Sequence, residues 1–127
     1  MRMEELVKLD RTGLNDRKKY LKLHLIGATY WKEQYEGYRN AENREKAIAK
    51  WNKKLEEDIE RMSQALLQGN MFRAENIKRL IQTWEYWITE IRRLEELEYL
   101  EERIKEETAK WRALHEELLI VEVLLKL

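Results

Sequence analysis

The sequence predicts an all-α protein, an antiparallel long helical hairpin or helical bundle of three to four helical segments. Three observations predict it. The 127 residues contain no proline and only four glycines, and without a residue that removes an amide donor and clashes with the preceding turn, very long helices are permitted. Glu, Lys, Arg, Leu and Ala dominate, with 39% of residues charged, which is the usage of helices with exposed charged faces. One clear turn signal, Gly69-Asn70, separates two helix-favouring stretches of nearly equal length. A chain of this length forms one domain able to bury a core. The expected layout is a single helical domain over 1–127, with an N-terminal arm (1–13), a first helical arm (14–68) and a second (71–127).

Residues 1–13 are a short helix or extended arm ending at Arg11-Thr12-Gly13. From Leu14, the positions Leu14, Leu21, His24, Ala28, Trp31, Tyr35 and Tyr38 follow heptad-like spacing, and Asn15 or Asp16 marks the helix start. Gly37 and the polar run 39–43 form a weak breaker, at which Asn40 caps a new helix or the helix kinks. Ile48, Trp51, Leu55, Ile59, Met62 and Leu66 then make an apolar stripe up to Gly69, which stands where a C′ glycine belongs. Asn70 caps the next helix, whose apolar face includes Met71, Phe72, Ala74, Ile77, Leu80, Ile81, Trp84, Trp87, Ile88 and Ile91.

No breaker follows. The seam continues through Leu97, Leu100, Ile104, Trp111, Leu114, Leu118, Val121 and Leu125. Ile91, Leu94, Leu97 and Leu100 are spaced by threes, which overwinds a heptad coil and predicts a bend or a change of partner, not a loop.

If Gly69-Asn70 is the turn, positions equidistant from it face each other. Trp51 then lies beside Trp87 and Ile88, with Trp84 one turn away. These four are the expected turn-proximal core. Charge agrees with this register, because residues 14–56 hold eleven Lys+Arg against six Asp+Glu and residues 57–127 hold eleven against sixteen. From Leu118 to Leu127 the chain is apolar nearly all round, and such a helix must be buried on every side. Either the N-terminal arm wraps it or a second chain does. The sequence reading takes the second chain, a homodimer completing a four-helix bundle through Leu118, Val121, Leu125 and Trp111.

No catalytic motif is present. A lack of Cys removes disulfides and thiolate metal sites, and without a loop-borne His beside a hydroxyl a nucleophilic triad is implausible. His24 and His115, expected opposite each other, are the candidate metal or haem ligands, with Glu116 or Glu117 assisting. The Glu-x-x-His pattern of di-iron bundles is missing, so no cofactor is expected. Glu107 falls on the seam, where it would set register or pair with Lys32.

Arg17, Lys18, Lys19 and Lys22, interleaved with tyrosines, are the nucleic-acid candidate, although the net charge is zero. The N-terminal residues lack the apolar region of a signal peptide, no run is long enough to span a bilayer, and the composition is thermophile-like. The expectation is a cytoplasmic, non-enzymatic structural or adaptor protein acting through protein–protein contact, with nucleic-acid binding as the alternative.

Overall fold

The computed structural model describes all 127 residues as five helices and no strand: α1 (Met3–Leu6), α2 (Arg11–Gly37), α3 (Ala41–Leu67), α4 (Met71–Arg93) and α5 (Leu97–Lys126). The chain divides into two compact units, Met1–Glu36 with Glu101–Leu127, and Gly37–Leu100. No helix is long and apolar enough to cross a membrane.

In the second unit α3 and α4 form the antiparallel hairpin expected at Gly69-Asn70. Gly69 takes φ +70°, which L-residues adopt only at a steric cost. Its amide and that of Asn70 donate back to Leu66 and Ala65 carbonyls at 3.0 and 2.9 Å, the paired bonds that close a helix C-terminus. Asn70 Oδ1 then accepts from the Arg73 amide at 3.1 Å and starts α4. Asn40 does the same for α3, accepting from the Glu42 amide at 2.8 Å. The weak point at 39–43 is therefore a true break, and Asn43 and Arg44 cover the carbonyls that α2 leaves open at Gly37 and Tyr38.

The core of this hairpin is Ala65, Ala74, Ile77 and Ile81, with Leu55 and Met62 packed against it. On α4, Ala74, Ile77, Ile81, Ile88 and Ile91 are buried as expected, whereas Met71, Phe72 and Leu80 are exposed and Glu90 is buried; on α3 the stripe is rotated. Ile59 and Leu66 are exposed, while Asp58 and Ala65 are buried. The seam is Trp51, Leu55, Asp58, Met62, Ala65, a four–three alternation that an apolar-only reading hides because one of its members is a carboxylate.

After Ile91 the chain changes partner, as one of the two expected alternatives had it, from α3 beside α4 to α2 beside α5, but it does so at a break in the helix. Instead of bending, the helix stops at Arg93 and a new one starts at Leu97. Leu94, Glu95 and Glu96 each donate to the carbonyl three residues back, at 3.1, 3.2 and 3.0 Å, which gives three residues per turn. That geometry lines up side chains spaced by threes, so Ile91 and Leu94 are both buried. Leu97, expected on the seam, is 67% exposed.

In the first unit α2 and α5 run antiparallel. Successive contacts along α2 fall at descending positions on α5: Arg11 with the Leu125 carbonyl, Arg17 with Glu117, Lys32 over Trp111, Tyr35 with Arg103. Helix α2 begins three residues earlier than expected. Asp10, not Asn15, caps it, accepting from the Gly13 amide at 2.7 Å. Leu6, Leu14, Leu21 and Val121 form the core, flanked by Leu9, Leu114, Leu118, Ile120, Leu124 and Leu125. The N-terminal arm therefore covers one side of the apolar end of α5. Val121 is 0% exposed within its own chain, which corrects its place in the expected interchain seam: Leu6, brought over by a single turn of helix, occupies the space assigned to a second chain.

Candidate interaction surface

On α2, Leu21 points into the core. At about 100° per residue, Leu23 and Tyr30 lie about 180–200° round from it, and Ile26 about 140° round. All three are exposed, Leu23 at 69% and Ile26 at 71%. With Lys19 before them and Glu33 after, also exposed, they form a row spaced four, three, four, three. This is a second heptad seam on a helix that already uses its first one. The heptad Leu21, His24, Ala28, Trp31, Tyr35 runs through the same stretch and masks it in the sequence. The signal that would have found it is Leu23-Ile26-Tyr30 itself.

Helix α5 repeats the arrangement. Leu119 and Val123 stand two residues either side of the buried Val121, so each lies about 200° round from it. Both are more than half exposed, as is Leu127. Leu118 and Leu125 are half-buried against the chain's own core. The apolar surface α5 presents outward is therefore Leu119 and Val123, with the exposed Leu127 just beyond its end, displaced from the residues expected.

A groove of about 460 Å³ runs between Lys22, Leu25, Ile26 and Thr29 of α2 and Trp111 and His115 of α5. Trp111, expected at the interface, is half-buried here, with His115 stacked on it at 4.9 Å and 9°. His24 is exposed and packs on Tyr20 at 4.1 Å. Each histidine thus sits against an aromatic of its own helix. No group of three or more His, Cys, Asp or Glu side chains is placed to hold a metal ion.

The expected tryptophan core is a half-buried stack. Trp51 lies 5.2 Å from Trp84 and 6.3 Å from Trp87, with interplanar angles of 16° and 19°. Lys54 covers both Trp51 and Trp84, at 5.2 and 4.9 Å. Its ammonium group and alkyl stem cover ring faces that two helices alone cannot enclose. Of the four, only Ile88 is buried.

Four acidic side chains are buried, and each is already engaged. Asp58 accepts from the Trp84 indole N–H and from Arg61, both at 2.6 Å. Glu90 accepts from the Tyr86 and Tyr99 hydroxyls. Glu107 pairs with Arg103 at 3.3 Å and Lys110 at 3.5 Å; the expected Lys32 instead pairs with Glu36 at 3.0 Å. Glu117 is gripped by Arg17 and by the Met1 amino group.

The last pair bears on the basic cluster of α2. Arg17 is committed to Glu117 and also lies 4.4 Å over the Tyr20 ring. Lys18 is half-buried, and Lys19 and Lys22 are exposed. The four do not form one cationic surface, since the strongest anion binder among them is neutralised within the chain.

The hairpin tip carries a further apolar group, with Leu66, Leu67, Met71 and Phe72 all exposed around Gly69. No protein-family model matches the chain, and no curated protein and no solved structure matches it either.

Proposed function

We propose that the protein is a non-enzymatic structural or adaptor subunit that acts by protein–protein contact, first of all with a second copy of itself. One observation carries this reading: α2 and α5 each present apolar side chains on the face turned away from their shared core. Leu23 and Tyr30 on α2, with Ile26 at the rim of the groove, and Leu119 and Val123 on α5, followed by Leu127 just beyond it, leave large side chains in water. Covering one such outward row with a second copy buries apolar side chains that a lone chain leaves in water, and each contributes about 1.5–3 kcal/mol before ordering costs. Engagement of all four buried acids with basic or hydroxyl partners supports a structural role for them over acid–base work.

Sedimentation equilibrium on the full chain tests the reading. The expected result is a reversible dimer of the 15.7 kDa chain that dissociates on dilution through the micromolar range. A mass fixed at one chain up to several hundred micromolar would overturn it.

A further inference from the structure

Resting on the self-association reading, we infer that the contact between copies is an antiparallel crossing of α2 on α2 about Ile26. Two-fold symmetry is the commonest form of dimer and makes such a contact self-complementary. The residues either side of Ile26 meet that demand. Lys19 and Glu33 stand seven positions before and after it, exposed and opposite in sign. A two-fold axis at Ile26 sets each Lys19 at about the height of the other copy's Glu33, twice over. It also brings Leu23 of one copy toward Tyr30 of the other, with the two Ile26 side chains at the centre. A parallel pairing would instead stack Lys19 on Lys19 and Glu33 on Glu33.

The row from Lys19 to Glu33 spans about 21 Å of helix at 1.5 Å per residue. It is apolar at its centre and charged at its rim, as specific protein contacts are. With three apolar side chains from each copy, the contact lies at the small end of the stable range, consistent with micromolar dissociation. The orientation comes from the charges, which contribute little to affinity but select register.

The chain has no cysteine, so single introduced thiols report cleanly. Ile26→Cys is expected to give an oxidised, covalent dimer in high yield. Lys19→Glu alone and Glu33→Lys alone each oppose like charges twice and are expected to weaken the dimer about tenfold. The double exchange Lys19→Glu with Glu33→Lys restores it. All of these positions are exposed, and circular dichroism checks that each variant stays folded. A wild-type dimer whose affinity ignores both single reversals, and whose Ile26→Cys variant does not cross-link, overturns the α2 crossing and leaves self-association standing. Weakening by each reversal without recovery in the double exchange overturns the antiparallel orientation. A wild-type chain that stays monomeric overturns both readings at once.

Discussion

Arg17 holds Glu117 in a fork, with its Nη2 3.0 and 2.8 Å from the two carboxylate oxygens and its Nε 3.1 Å from one of them. One bidentate pair thus ties α2 to α5 across a hundred residues of chain. Glu117 is nearly buried, while about a fifth of the Arg17 side chain is exposed. Arg17→Met leaves the carboxylate facing only the Met1 amino group and is expected to cost about 2–3 kcal/mol in urea denaturation, below the full cost of orphaning a buried charge. Adding Glu117→Leu to Arg17→Met should return most of that stability, since an apolar pair of similar volume replaces a desolvated ion pair.

Asp58 occupies a seam position because Trp84 gives it an indole N–H. Trp84→Phe keeps an aromatic against Trp51 but leaves one buried oxygen without its donor, so it should destabilise by about 1–2 kcal/mol. Trp84→Phe with Asp58→Leu should recover part of the loss, because both polar partners go together.

Val121 fixes how the apolar end of α5 is read. Val121→Ala should cost about 2–3 kcal/mol by cavity formation and lost burial. Val121→Glu should unfold the first unit, seen as loss of helical ellipticity, instead of releasing folded monomers. Leu119→Ala and Val123→Ala, on the outward face, should each change monomer stability by less than about 0.5 kcal/mol.

Two helical-region glycines behave oppositely. A Cβ at Gly27 would meet nothing within 4 Å, so Gly27→Ala should stabilise by about 0.5–1 kcal/mol through helix propensity. Gly69→Ala places a side chain at φ +70° and should destabilise by about 1 kcal/mol or more. Thermal melts of the two variants would separate them in sign.

The reverse turn was legible because it is spelled in residues with one conformational meaning: Gly69 for a positive φ, Asn70 for a cap. Asn40 was legible for the same reason. The face of α3 was not, because a buried Asp58 can be recognised only with Trp84 already placed beside it. Nor was the burial of Val121, which depends on where Leu6 is carried by a short arm that has no periodicity to read. The outward row Leu23-Ile26-Tyr30 was written plainly at heptad spacing. A sequence reading that assigns one seam per helix stops before reaching it.

The interruption between Arg93 and Leu97 has an unusual origin. Nothing in Leu94-Glu95-Glu96 dislikes a helix; the stop is a matter of phase, one residue too few for the apolar positions to alternate. A single alanine inserted between Leu94 and Leu97 should therefore erase it, restoring the alternation and fusing α4 with α5 into one continuous helix. Hydrogen exchange at residues 94–97 would then slow. The same insertion within 38–40 should leave that break in place, because Gly37 and Asn40 end and start helices whatever the count between them. Two interruptions that look alike in outline would thus answer differently to a change of chain length, one being a word in the sequence and the other a miscount.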